Sequence, residues 1–258
     1  MKACITGASS GIGRDMARVL ADYGIDLFIV ARRSERLKQL QDELSQKVKV
    51  TAITLDLAEE SSCRLLYERL QKEDIDILIN NAGFGMAGPF TESDLQRELT
   101  MIDTNIKACH ILTKLFLRDF VKRDFGYVLN VASAAAFLPG PMMATYYATK
   151  AYVRHFTLAL RKEMQKRHAH VFISTLCPGP VHTEFNEIAN VKFRVKGKSS
   201  YEVAKIAIDE MFAQKANIIP GRLMKTAYLC CKLMPLAVLL EAAYHIQKNK
   251  QEKTDDAA

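Results

Sequence analysis

The stretch "TYYATKAY" (145–152) places Tyr146 and Tyr147 four and three residues ahead of Lys150. Residues three and four apart share a helix face, so on a helix either ring can look toward that ammonium. A neighbouring cation favours the phenolate and lowers a pKa that is otherwise about 10. That is one way to build a proton donor that works near neutral pH. Ser133 lies 13 residues before Tyr146 and 14 before Tyr147, just past the apolar run "YVLNVA", where its hydroxyl could hold a substrate oxygen. Each feature also has a plainer use, because a Ser after a strand is usually a turn or cap and a Tyr–Lys pair is usually surface packing. Helical geometry alone does not choose between the tyrosines.

These residues need a frame, and the chain supplies one in short apolar runs alternating with helical patterns. "KACIT" (2–6), "DLFIVA" (26–31), "KVTAITLD" (49–56), "IDILIN" (75–80), "YVLNVA" (127–132) and "HVFISTLC" (170–177) read as strands. They are rich in Val and Ile and apolar throughout, as in a parallel sheet covered on both faces. Helices are expected at about 11–23, 34–47, 59–72, 94–124 and 145–167. Repeated strand–helix units of this kind predict an α/β fold: a Rossmann-type doubly wound parallel sheet flanked by helices, in a single domain. That domain is expected over 1–248, with a substrate loop and C-terminal helices at about 184–248 and a disordered tail at 249–258. Ser199 and Glu202 form a capping box that opens a further helix, and "NIIPG" is a candidate last strand.

"TGASSGIG" (6–13) follows the first strand and opens a helix, the setting a dinucleotide-binding turn requires. Glycine lets the backbone approach a pyrophosphate, and the helix N-terminus offers free N–H groups with partial positive charge. A glycine triplet alone is weak evidence, and here the spacing is Gly7-x3-Gly11-x-Gly13. At the end of the second strand, NAD-binding folds carry an acid for the adenosine 2′-hydroxyl, whereas a 2′-phosphate needs positive charge. This chain reads Val30-Ala31-Arg32-Arg33, with no acid and two guanidinium groups suited to phosphate. NADP(H) is therefore the expected cofactor, with Arg32 the principal contact and Arg33 or Arg14 assisting. The plainer alternative is that these arginines merely begin an exposed helix.

Taken in order, TGxxxGIG (Thr6–Gly13), NNAG (Asn80–Gly83), Asn105 in "IDTN", Ser133 in "NVAS", Tyr146-x3-Lys150 and "PGPVHT" (178–183) resemble the short-chain dehydrogenase/reductase family in its classical branch. The resemblance covers roughly residues 1–220. It implies reversible hydride transfer between a nicotinamide and a carbonyl or alcohol. Its Ser–Tyr separation picks Tyr146 as the proton donor, with Lys150 also bonding the nicotinamide ribose and Ser133 holding the substrate oxygen. Asn105 is implied to kink its helix and to anchor a water leading from Lys150 to solvent. For the cofactor, the resemblance implicates Gly7, Ser9, Ser10, Gly11, Ile12 and Gly13 at the turn, and Asp56 and Leu57 at the adenine. It adds Asn81, Ala82 and Gly83 after the fourth strand. Tyr146, Lys150, Pro178, Gly179, Val181 and Thr183 complete the set, with Val181 and Thr183 at the carboxamide. His182 is read as a loop residue.

The details "NNAGFGMAGPF" and "YYATKAYV" look more like the branch of 3-ketoacyl and steroid ketone reductases, which implies a lipophilic carbonyl. Phe137, Leu138, Met142, Met143 and Phe185 would make an apolar substrate wall. Rival readings are a non-catalytic NADP-binding redox sensor, which tends to lose the Tyr or Lys, and a 3-ketoacyl thioester reductase as a specific substrate case. A sugar-nucleotide epimerase would be longer and differently spaced in glycine. Many classical members of the family end in a strand whose Gly-Gly pair builds a tetramer interface; "NIIPGRLMKTAYLCCKLMPLAVLLEAAYHIQK" replaces it here, so that tetramer is not implied, and a homodimer or higher homo-oligomer is expected.

Of the net charge of +7, nine cations and three acids fall between Lys192 and Lys232. The plainer reading is a solvated surface, and the sharper one an anionic partner or contact with a membrane surface. Nucleic acid is not expected, since no aromatic residues are laid out among the charges for stacking. Six cysteines at 4, 63, 109, 177, 230 and 231 lack any CxxC pair, so they read as buried thiols of a reducing, cytoplasmic compartment, and no metal site is expected. The chain starts in a strand without a signal-peptide pattern, and no apolar stretch approaches the ~20 residues of a membrane span.

Overall fold

In the computed structural model of the protein, residues 1–181, 183–185, 189 and 197–255 are described. Seven parallel strands form one sheet: β1 (Lys2–Thr6), β2 (Asp26–Ala31), β3 (Val50–Thr54), β4 (Ile77–Asn80), β5 (Gly126–Val131), β6 (Val171–Leu176) and β7 (Asn217–Ile218). Their spatial order is β3-β2-β1-β4-β5-β6-β7. The order reverses between β1 and β4, with Ile5 of β1 opposite Ile29 of β2 on one side and Ile79 of β4 on the other. In a doubly wound sheet that reversal opens a crevice beyond the carboxyl ends of the strands. The glycine turn and Asn81–Gly83 both leave their strands there.

Strand alternation sends side chains to two separate apolar layers. Ala3, Ile5, Leu27, Ile29 and Ile79 pack with Met16 and Leu20 of α1 (Gly11–Asp22), and with Val203, Ala207 and Met211 of α7 (Ser200–Phe212). Cys4, Val30, Leu78, Val128 and Ile173 face the other way. They meet Leu66 of α3 (Glu60–Leu70), Phe116 and Phe120 of α5 (Cys109–Arg123), and Met164 of α6 (Ala144–Lys166). Both faces of the sheet are thus covered, which is why its strands are apolar throughout. α2 (Ser34–Leu44) buries Leu37, Leu40 and Leu44 against the first layer. Ser199 caps α7, its hydroxyl accepting from the Glu202 amide at 3.1 Å.

The segment 94–124, which reads as one helix, is three pieces. α4 (Leu95–Ile102) passes into a π-helical turn (Asp103–Ala108) and then into α5. Asn105 sits inside that turn, and such bulges break a helix's ordinary i→i+4 pattern. The last two helices, α8 (Arg222–Leu233) and α9 (Leu236–Asp255), lie where C-terminal helices were expected. α9 runs on into the stretch 249–258 for which the composition suggested disorder. α8 buries no residue fully, and Leu233 is 77% exposed. Cys230 is exposed and Cys231 half-buried, unlike the four buried thiols at 4, 63, 109 and 177. Among the described residues no helix is long and apolar enough to cross a membrane.

Candidate active site

At the carboxyl edge of the sheet lies a cavity of about 900 Å³. Of the residues expected from the sequence to form the site, all line it except Gly13 and Asn105, which act from behind the wall, and Arg14 and Met142.

Gly7 has φ +67°, and a Cβ there would meet the Ala82 backbone at 2.8 Å, so only glycine lets β1 turn this close to the loop after β4. Gly13 lies against Asn81, whose Nδ2 would be 2.3 Å from a Cβ. Asn81 is a bolt between the two loops: its side-chain amide donates to the carbonyls of Thr6 and Gly7, both at 3.1 Å. The Thr6 hydroxyl accepts from the amides of Asn81 and Ala82, both at 3.0 Å. Ser10 precedes α1 without capping it through its side chain, so no hydroxyl occupies the first-turn amides. This cradle fits a dinucleotide pyrophosphate: a glycine turn, a helix N-terminus free of side-chain capping and a cavity above them.

The two arginines after β2 behave differently from one another. The Arg32 guanidinium is 3.6 Å from the Asp56 carboxylate. The Arg33 guanidinium turns into the glycine loop, donating to Ser9 Oγ at 3.2 and 3.1 Å and to Ser10 Oγ at 2.8 Å. Arg33, not Arg32, is thus the cation built into the turn, because its donors are held by two hydroxyls. Arg14 engages its neighbour Asp15 at 3.2 Å and does not line the cavity. Beyond these, Glu184 pairs with Arg33 at 2.8 Å and with Arg36 one helical turn further on.

At the other end Tyr146, Lys150 and Ser133 converge. α6 carries Tyr146 and Lys150 on its buried face. The Ser133 hydroxyl accepts from the Ala135 amide at 3.1 Å, fixing the rotamer with which it hydrogen-bonds Tyr146. The loop is tied down again where Ala134 N donates to Pro178 O at 2.9 Å. Lys150 Nζ donates to Val131 O at 3.0 Å and lies 6.0 Å from the Tyr146 ring centre. Burial lowers the Lys150 pKa to about 8. Burial also raises that of Tyr146, while the Ser133 hydrogen bond pulls it back down. Lys150 therefore stands beneath the ring, bonded to the sheet edge. The titratable groups that act on it, Cys109 and Cys177, are thiols pushed up to about 12 and about 11 by burial, hence neutral.

Tyr147 lies on the same wall but has a different partner. Its hydroxyl accepts from Gln247 of α9, and Gly140 packs against its ring. Asn105 is buried behind Gly83. Its Oδ1 accepts from Phe84 N at 3.0 Å, and its Nδ2 donates to Phe84 O at 2.9 Å and Thr149 Oγ1 at 3.0 Å. Both amide hydrogens are committed, so its side chain clamps the loop after β4 onto α6.

The apolar wall includes Phe137, Leu138, Met143 and Phe185, with the Phe185 ring 5.3 Å from that of Tyr146. Met142 does not join it: φ +65° turns it out of the cavity, and its carbonyl accepts from Gly88 N at 2.8 Å. Met224, Ala227 and Cys231 of α8 and Gln247 of α9 line the cavity instead. The sequence reading passed over them, although the i, i+4 spacing of buried Leu239, Ala243 and Gln247 marks an inward face. His182 and residues 186–188 and 190–196 of the expected substrate loop lie outside the described residues. So do three of the nine cations, Lys192, Arg194 and Lys196. Of the rest, Lys198, Lys205 and Lys215 pair with Glu202, Asp209 and Glu210, the three acids of that stretch.

The family model described as short chain dehydrogenase matches residues 1–194. Sulfoacetaldehyde reductase 2 of Chromohalobacter salexigens is 38% identical over 185 residues, covering 70% of this chain and 73% of that protein. The very-long-chain 3-oxoacyl-CoA reductase of Anas platyrhynchos is 27% identical over 259 residues, covering 96% of this chain and 80% of that one. Among solved structures, a short-chain dehydrogenase from Sphingobium yanoikuyae in complex with NADPH superposes with a TM-score of 0.83 at 28% identity, covering 90% of this chain and 91% of that one.

Proposed function

From the chain's membership of the classical short-chain dehydrogenase/reductase family, and so among oxidoreductases, we propose that it is an NADP(H)-dependent carbonyl reductase or alcohol dehydrogenase acting on a lipophilic ketone or aldehyde. The observation that carries this reading is the Ser133–Tyr146–Lys150 cluster opening onto the same cavity as the glycine turn. A nicotinamide bound there would supply the hydride to carbon, or take it from an alcohol. In reduction, the Ser133 hydroxyl holds the carbonyl oxygen and Tyr146 gives it a proton. Ser133 is suited to both tasks because a backbone amide fixes its oxygen. The Lys150 ammonium, beneath the ring, stabilises the phenolate that proton transfer leaves. Asn105 acts as a positioning residue, holding Phe84 and Thr149 and through them the two sides of the site.

Cofactor choice rests on Arg33, held against Ser9 and Ser10, with Arg32 and Asp56 beside it. The absence of an acid after β2 points the same way. The apolar wall supports a lipophilic substrate, since burying apolar area contributes roughly 25 cal/mol per Å². Similarity to a very-long-chain 3-oxoacyl-CoA reductase makes a 3-ketoacyl thioester a specific case to include. The exposed apolar residues of α8 and the start of α9, Leu223, Leu229, Leu233 and Leu236, offer a second copy of the chain a surface to cover. A cytoplasmic homo-oligomer is the form we assign to it.

A panel of ketones, aldehydes, steroids and 3-ketoacyl thioesters, followed at the nicotinamide absorbance with NADPH and NADH in parallel, tests the proposal. Turnover with NADPH above NADH on at least one apolar carbonyl supports it. Preference for NADH refutes the cofactor assignment, and no turnover across the panel refutes the reductase.

A further inference from the structure

Residues 183–185 cross the cavity from end to end. Thr183 packs on Gly11 of the glycine turn, its Cγ2 standing 3.1 Å from where a Cβ would be. Phe185 stands against the Tyr146 ring. Between them Glu184 reaches back to the end of β2 and bridges two guanidinium groups with one carboxylate oxygen each. Oε2 accepts from Arg33 Nη1 at 2.8 Å and Oε1 from Arg36 Nη1. The other edge of Arg33 is held by the hydroxyls of Ser9 and Ser10. Two arginines and two hydroxyls make an anion-binding set, and the anion in it is the chain's own side chain.

Two roles are open to such a carboxylate. It could replace the acid missing after β2 and accept from an adenosine 2′-hydroxyl, which would favour NAD(H). Alternatively, it could hold the place of a 2′-phosphate. The geometry favours the second, because each carboxylate oxygen is already engaged by a guanidinium rather than aimed at the cavity. A 2′-phosphate carries about −1.5 to −2 charge and three acceptor oxygens, against one charge and two oxygens for the carboxylate. It is the better partner for the same donors.

We propose that Glu184 is an intramolecular counter-anion of the 2′-phosphate subsite, displaced when NADP(H) binds and left in place by NAD(H). The inference rests on the NADP(H) reading above. Displacement moves the carboxylate three residues from Val181 and next to Phe185, so occupancy at the adenosine end is felt at the Tyr146 end through one short segment. Glu184 is thus a specificity-determining residue that reduces the affinity gained from the phosphate.

The test is calorimetric titration of the whole protein with adenosine 2′,5′-bisphosphate and, separately, adenosine 5′-monophosphate, for the wild type and Glu184→Gln. The three side chains are each 34–44% exposed, so each ion pair is worth only what partly exposed pairs contribute. Removing both should tighten the bisphosphate by a factor of about 2 to 30 and leave the monophosphate unchanged. Glu68→Gln, which removes the same charge from an exposed site on α3, controls for net charge and should change neither ligand. Weaker binding of the monophosphate by Glu184→Gln would show that Glu184 serves the ribose and would overturn the inference. An unchanged bisphosphate affinity would overturn it too. A wild type that binds the two ligands equally would instead refute the NADP(H) reading itself.

Discussion

Replacing Tyr146 by Phe and, separately, Tyr147 by Phe makes the same chemical change on adjacent residues of one helix. The account assigns them opposite consequences. Tyr146 is buried, and its hydroxyl is the one bonded to Ser133 at the edge of the cavity. Losing it removes the proton donor, a contribution of about 10²–10⁴ in rate. The structural cost is one hydrogen bond, about 1 kcal/mol, since Ser133 keeps its bond from the Ala135 amide. Tyr146→Phe should therefore fold and bind NADPH much as the wild type does, while kcat falls by about two to four decades. Tyr147→Phe loses the bond from Gln247, also about 1 kcal/mol, and Gln247 has a further interaction to fall back on. Its kcat should stay within a small factor of the wild type. The assay pairs steady-state rates on an active carbonyl with fluorescence titration of NADPH. An active Tyr146→Phe beside a dead Tyr147→Phe would refute the assignment. Loss of NADPH binding in Tyr146→Phe would show that the hydroxyl holds the cofactor and does not serve the proton transfer alone.

Two further outcomes are expected. Asn105→Ala removes three buried hydrogen bonds and strands both backbone groups of Phe84, which costs on the order of 2–4 kcal/mol. Thermal unfolding should drop by several degrees, with the rate falling alongside, whereas an unaltered midpoint would deny the clamp. The pKa of Lys150 stands at about 8 because burial disfavours its charge. The ammonium is thus present below that value and lost above it, so kcat/KM for reduction should fall as the pH rises through about 8. A profile flat through that value would mean the ammonium does not assist Tyr146.

Much of this frame is legible in the sequence because burial on both faces leaves a simple mark. β1 and β2 are uninterrupted apolar runs, and their bounds can be read directly from them. The glycine turn is legible for a similar reason: Gly7 must take a positive φ against the Ala82 backbone, and no other residue does so cheaply. Contacts between distant segments leave no such mark. Nothing near Arg33 announces Glu184, 151 residues away, or near Tyr147 announces Gln247, 100 residues away. Position after β2 marks both Arg32 and Arg33, but not that Ser9 and Ser10 hold Arg33 while Asp56 stands beside Arg32. The π turn at Asp103–Ala108 is marked only by Asn105, a poor helix former whose kink the family resemblance implies, and the hydrophobic pattern alone does not place it. Met142 shares the apolar character of Met143, yet its backbone angle, which composition does not encode, turns it away.

If this cavity moves a hydride between NADPH and a carbonyl with Tyr146 supplying the proton, an isotope on the nicotinamide must reach the alcohol. Incubation with NADPH deuterated at the transferring position and an active carbonyl from the panel, followed by mass spectrometry of the alcohol, tests it most directly. One deuterium is expected in the product of the wild type, and no labelled product from Tyr146→Phe beyond its residual rate. NADPH bound by the wild type with no labelled alcohol from any carbonyl would contradict it.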